Sequence, residues 1–187
     1  MQKIILASQS PRRKQLLEWA EIPFEIIVKS TDENYPAHLA IEDIPVHIAR
    51  AKAEAVQELL QSNTSTILAA DTVVVLNHKI IGKPAGRENA IEILQQLSGN
   101  VHHVITGVVI KNENDEISFA DITEVTFHSL TEGQIVYYVD HYKPYDKAGA
   151  YAIQEWIGVV GIKSIKGDFY NVMGLPVSRV IQALKSL

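Results

Sequence analysis

The chain has 187 residues, with 17 Lys and Arg against 22 Asp and Glu and a formal net charge of −5. That length suits one domain with a core that needs no staples, and the acidic balance excludes a polycation that coats nucleic acid by bulk charge. A hydrophobic fraction of 47% with 21% charged residues argues against disorder, and the lack of cysteine excludes disulfides, thiolate catalysis and Cys-built zinc sites.

Short apolar runs alternate with amphipathic helical stretches, the pattern of an α/β domain. Ile4–Ala7 reads as a buried strand, and Ser10-Pro11 as a helix start with Ser as N-cap and Pro at the first helical position. The helix runs to about Ala20, Phe24–Val28 forms a second strand, and Thr31–Ile41 is a loop carrying Asp32 and Glu33. A long helix covers Ile44 to Gln61, with Ile48, Ala49, Val56, Leu59 and Leu60 as its apolar stripe. Thr66–Leu76 is a long strand, followed by a turn at Asn77-His78 and a short strand at Lys79–Ile81. Ala90, Ile91, Leu94 and Leu97 mark a third helix that Gly99 closes. Val104–Ile110 and Ile117–Phe127 flank Asn112–Asp115 and predict a hairpin. Glu132–His141 reads as a helix, Val159–Ile165 as a strand, and Val177, Val180, Ile181 and Leu184 as the stripe of the last helix. Hairpins beside βα connections imply a mixed sheet. Met1–Ser10 lacks the apolar length of a signal peptide, about 7–15 residues. No apolar stretch reaches the roughly 18 residues that span a bilayer. A soluble, cytoplasmic protein is expected.

Chemistry concentrates in a few segments. Ser8-Gln9-Ser10-Pro11-Arg12-Arg13 places two guanidinium groups and serines where free helix N–H groups already carry partial positive charge. Arginine does not complement that end of a helix, so the segment reads either as an anion site or as two solvated arginines beside an ordinary cap. Asp71 stands inside the apolar run Ile67–Leu76, where burying an acid demands a partner. It is a candidate metal ligand or general base, unless it faces water. Lys52 follows Ile48 by one helical turn and precedes Val56 by another. It either snorkels from the apolar face or reaches into a cleft toward a phosphate or carboxylate. Gly82-Lys83-Pro84 and Asp146–Gln154 are further candidates, the latter for its small residues framed by polar ends. Glu33 could complete a metal site with Asp71.

Familiar nucleotide and hydrolase signatures are missing. There is no G-x-x-x-x-G-K-[ST], no G-x-G-x-x-G, no H-E-x-x-H and no G-x-S-x-G. His102 and His103 are adjacent in a strand, point to opposite faces and make a poor metal pair. Acids and bases remain, without a nucleophile, a set that fits metal-assisted attack of water on a phosphoanhydride.

Taken jointly, the motifs resemble the Maf family of nucleoside triphosphate pyrophosphatases. The matching segments run in order from Ser8–Arg13 through Glu33, Lys52, Ala70-Asp71-Thr72, Gly82-Lys83-Pro84, Leu97-Ser98-Gly99, Ile105-Thr106-Gly107 and Asp146–Tyr151 to Ile153-Gln154 and Val172–Pro176. The resemblance implies one Maf/ITPase-like domain over residues 1–187, with a mixed, elongated, twisted sheet flanked by helices. It also implies hydrolysis of a nucleoside triphosphate to the monophosphate and pyrophosphate, aided by Mg²⁺ or Mn²⁺, with Asp71 as proton acceptor. Arg12, Thr72 and Gln154 match positions tied to substrate choice in the dTTP/UTP subgroup. Ala152 and Glu155 depart from the Gly that many members carry there.

On this reading Ser8, Arg12 and Arg13 bind the triphosphate, Lys52, Lys83 and Lys147 neutralise phosphate charge, Glu33 and Asp71 serve the metal, and Gln154 and Thr72 read the base. Competing readings are a regulatory binding protein of septum formation, or a pyrophosphatase for 7-methyl-GTP, ITP or XTP. Nucleic-acid and membrane partners are not expected, and a homodimer is left open.

Overall fold

A computed structural model describes residues 3–60 and 65–187. Its strands are β1 (Ile4–Leu6), β2 (Phe24–Ile26), β3 (Ile67–Leu76), β4 (Lys79–Ile81), β5 (Val101–Lys111), β6 (Glu116–Phe127) and β7 (Ile162–Lys166). They form one seven-stranded sheet in the order β2-β1-β3-β5-β6-β7, with β4 also paired to β3. β1 is parallel to both β2 and β3, whereas β4 on β3 and β7 on β6 are antiparallel, so the sheet is mixed as expected. The helices are α1 (Pro11–Trp19), α2 (Asp43–Leu59), α3 (Arg87–Leu97), α4 (Glu132–Tyr142), α5 (Trp156–Gly161), α6 (Phe169–Met173) and α7 (Val177–Leu184).

The chain divides into two compact units. The first contains residues 1–72, 106–121 and 174–187, and the second contains 73–105 and 122–173. In the first, α2 buries Ala49, Ala53 and Val56 against Ile5, Ala7, Ile67, Ala69 and Val109. Small side chains on both surfaces let helix and sheet approach closely. Gly107 is the extreme case, since a Cβ there would lie 2.2 Å from the backbone of Pro45 and Val46 at the start of α2. In the second unit α3 packs on α4, and Leu94, Leu97, Phe127, Ile135, Tyr138 and Ile157 are fully buried. A capping box opens α4, with the Gln134 N–H donating to Thr131 Oγ1 and the Thr131 N–H donating to Gln134 Oε1.

Most expected elements stand within a few residues of their predicted bounds. Asn77 and His78 both take positive φ, as a two-residue hairpin turn requires, and Gly99 follows α3 with φ 71. The predicted C-terminus of α2 at Gln61 lies outside the described residues. Two expectations fail. Leu59 belongs to no buried stripe, being 51% exposed; it falls on the last residue of α2, where the face has turned away from the core. Val159–Ile165 does not form one strand, because residues 156–161 are the helix α5 and only Ile162–Lys166 extends. The Glu155 carbonyl accepts the Gly158 N–H at 2.9 Å and the Val159 N–H at 3.4 Å, which starts a helix that runs on through Val159 and Val160, whose side chains favour strands. Val159, 83% exposed, gains nothing from burial that would oppose it.

Candidate active site

The first unit gathers most of the candidate residues in two linked groups. α1 begins at Pro11 with Ser10 as N-cap, but the Ser10 side chain makes no capping bond and no acid occupies the first turn. Arg13, on that turn, points inward and is buried. Its Nε donates to the Gly174 carbonyl at 2.8 Å, Nη1 to Ser8 Oγ at 3.0 Å and Nη2 to Thr72 Oγ1 at 3.0 Å. Thr72 Oγ1 also meets Thr106 Oγ1 at 2.9 Å, and Ser8 Oγ accepts the Ser10 N–H at 3.3 Å. Three of the five guanidinium donors are thereby engaged within the protein. Burial pushes the Arg13 pKa below its ordinary value; the carboxylates of Asp71 and Glu33 oppose that shift, while Arg12 adds to it. An arginine remains charged under such a balance. Arg12 is half-buried at the same helix start.

One residue before Thr72, Asp71 forms the second group. Its Oδ1 accepts from Lys52 Nζ at 2.7 Å, and the same ammonium lies 2.8 Å from Glu33 Oε1. The Lys52 and Asp71 side chains are 19% and 14% exposed, against 52% for Glu33. Lys52 therefore does not snorkel away from the helix face; it reaches two carboxylates. The loop acid Glu33 and the strand acid Asp71 both address one cationic point. Among the described residues, no group of three or more His, Asp or Glu side chains could hold a metal by itself.

The second unit holds Lys83, Lys147 and Gln154. Lys147 is buried and pairs with Asp146 Oδ1 at 2.8 Å and with Glu155 Oε1 at 3.6 Å. Lys83 and Gln154 are exposed. Within the Asp146–Gln154 segment Tyr151 is buried, as is His102 on β5, with His102 Nε2 2.7 Å from the Tyr151 hydroxyl. His102 also stacks on Phe127 at a centroid distance of 5.4 Å. Burial, with a smaller contribution from His103, lowers the His102 pKa to about 4, and burial raises that of the Tyr151 phenol. His103 is exposed, so the two histidines do face opposite ways. The sequence marks His102 only as half of a poor metal pair and Glu155 only as a departure from a family glycine, and it does not single out Tyr138. Tyr138 and Glu155 carry no motif of their own, and only the fold brings them together.

A sheet-based α/β chain with buried arginine and lysine set against serine, threonine and carboxylate groups is built to handle anions. Residues 3–187 match the family model described as Maf-like protein, and the chain belongs to that family. Three curated relatives are named dTTP/UTP pyrophosphatase. That of Cytophaga hutchinsonii is 54% identical over 98% of this chain and 84% of its own length. Those of Bacteroides thetaiotaomicron and Porphyromonas gingivalis are 47% and 48% identical, over 99% and 98% of this chain and 96% and 93% of their own lengths.

Proposed function

We propose that this chain hydrolyses nucleoside triphosphates, dTTP and UTP foremost, to the nucleoside monophosphate and pyrophosphate. The carrying observation is the convergence of Asp71 and Glu33 on Lys52 Nζ, beside a buried, hydrogen-bonded Arg13, in a chain whose relatives bear that activity in their names. Water attacks the α-phosphorus, a P–O bond forms, the α–β phosphoanhydride breaks, and pyrophosphate departs with the bridging oxygen.

Each side chain has a role under this reading. Asp71 takes the proton of the attacking water. Lys52 keeps that carboxylate oriented and neutralises phosphate charge, a role this reading also assigns to Lys83 and Lys147. Arg12 and the open N-terminus of α1 bind phosphate oxygens, and Ser8 and Arg13 shape that end of the helix. Thr72 and Gln154 choose the base.

The donor set suits Mg²⁺ or Mn²⁺. Two carboxylate oxygens fall within 2.8 Å of one cationic nitrogen, so they already address a single positive centre. Two carboxylates with phosphate oxygens are the usual complement of Mg²⁺. Bound there by Glu33 and Asp71, the ion would offset the charge of the phosphates. No helix among the described residues is long and apolar enough to cross a membrane. A cytoplasmic location belongs to the proposal.

The test is pyrophosphate release from dTTP, UTP, CTP, GTP, 7-methyl-GTP and ITP with Mg²⁺ or Mn²⁺ present. Fastest release from dTTP and UTP is expected. A faster purine nucleotide would overturn the base assignment, and no pyrophosphate from any substrate would overturn the reaction.

A further inference from the structure

Residues 152–155 form a tight turn, in which the Glu155 N–H donates to the Ala152 carbonyl at 3.1 Å. Gln154 is exposed at the third position of this turn. One group holds both of its ends. The Ala152 N–H donates to the Tyr138 hydroxyl at 3.1 Å, and that hydroxyl donates in turn to Glu155 Oε2. The other oxygen of the same carboxylate, Oε1, lies 3.6 Å from Lys147 Nζ.

Two features separate this arrangement from ordinary helix capping or core packing. Glu155 is the N-cap residue of α5, yet its side chain caps nothing there; the carboxylate turns to Tyr138 and Lys147 instead. Tyr138 is fully buried, and its ring stacks on Tyr142 at a centroid distance of 4.9 Å. A phenol with only two side-chain torsions, both fixed by packing, presents its oxygen at a fixed point. The backbone of the Gln154 turn is thus referenced to the core of the second unit through one oxygen atom. The loop to which Gln154 belongs is in turn referenced to Lys147 through one carboxylate.

We infer that Tyr138 and Glu155 are positioning residues for base selection: the Tyr138 hydroxyl sets the Gln154 turn, and Glu155 joins that setting to Lys147. The inference rests on the proposed pyrophosphatase activity and on Gln154 as a reader of the base. It adds two residues that touch neither substrate nor reacting atoms. Removing a buried hydroxyl that accepts a backbone N–H and donates to a carboxylate takes both bonds away at once, and a turn that loses both anchors no longer holds its amide in one orientation.

The experiment compares kcat and KM for UTP and CTP, whose base edges differ by a carbonyl against an amino group, in wild type and variants. Tyr138→Phe, which removes one oxygen and keeps the ring, is expected to lower the preference for UTP over CTP by about tenfold. The change should fall mainly on KM for UTP. Glu155→Ala should act in the same direction, while Glu155→Gln, which keeps an acceptor oxygen for Tyr138, should restore most of the preference. A merely structural role predicts lower thermal stability and lower kcat with both substrates at an unchanged ratio. That result overturns the inference. If Tyr138→Phe does not fold, the half-buried Glu155 carries the same test, and an unchanged ratio in Glu155→Ala overturns the inference alone. Wild-type enzyme that does not distinguish UTP from CTP also overturns it. Wild type that releases no pyrophosphate from any nucleotide overturns the proposed function and the inference together.

Discussion

Arg13 and His102 are both basic side chains buried in this protein, and the two units treat them in opposite ways. In the first unit Arg13 stays charged, because a carbonyl and two hydroxyls accept its protons and two carboxylates offset the cost of burial. In the second unit His102 faces a phenol and a phenyl ring, and burial holds it neutral down to about pH 4. The contrast extends outward from each. Around Arg13 lie Lys52, Asp71 and Glu33, a lattice of full charges suited to phosphate chemistry. Beneath the Gln154 turn lie Tyr151, Tyr138 and His102, hydroxyls and rings suited to fixing the shape of a loop. A buried charge demands that every neighbour be in place, whereas a buried hydroxyl directs one contact at a time.

The strongest way to break this contrast is Arg13→Met. It leaves the Gly174 carbonyl, Ser8 and Thr72 without their buried donor and Asp71 with one less positive neighbour, so a loss of about 4 kcal/mol is expected. Urea unfolding measures it, and a loss under about 1 kcal/mol would mean that the guanidinium is not integral to the first unit.

The second prediction concerns acid. His102 binds a proton near pH 6.5 when unfolded but only near pH 4 when folded. Between those values the unfolded chain carries more protons, so stability is lost as pH falls from about 6.5 to about 4, by about 3 kcal/mol from this residue. His102→Gln keeps a partner for Tyr151 and cannot take the proton. Its stability should fall less steeply over the same window, and parallel curves for the two proteins would count against a buried neutral His102.

Next in size is Asp71→Asn. The amide oxygen still accepts from Lys52, so the circular dichroism spectrum should not change, while pyrophosphate release falls by about two orders of magnitude. Near-normal turnover would remove Asp71 from the role of base. The smallest effect is expected at Lys83, which is exposed and makes no ion pair among the described residues. Lys83→Met should lower kcat/KM by about tenfold through the lost phosphate contact and leave the unfolding midpoint unchanged. A shift in stability without a change in kcat/KM would assign Lys83 to the fold instead.

Much of this organisation is legible in the chain itself. Ser10-Pro11 marks a helix start, Asn77-His78 a hairpin turn and Gly99 a helix end, because local backbone preference decides each of them. Asp71 stands out because an acid inside Ile67–Leu76 violates the apolar pattern around it, and Lys52 because it interrupts a helical stripe. Both irregularities are real, and each side chain proves to be the other's partner. Residues that break no local rule stay invisible. Tyr138 reads as one more aromatic on the inner face of α4, and Glu155, though it departs from a family glycine, gives no sign in the sequence of the phenol and the ammonium that it meets.

By itself, then, the sequence determined the α/β class, the order of nearly all elements and the set of charged residues set apart from the apolar pattern. These follow from periodicity, turn chemistry and the cost of burying charge, which act within a few residues of chain. The tertiary structure alone decided which charges meet. It turned Arg13 inward to Gly174, 161 residues away, and brought Glu33 and Asp71 to one ammonium. It folded Val159 and Val160 into a helix against their own preference and tied both ends of the Gln154 turn to a single hydroxyl. Those outcomes depend on contacts between distant segments, and no local pattern records them.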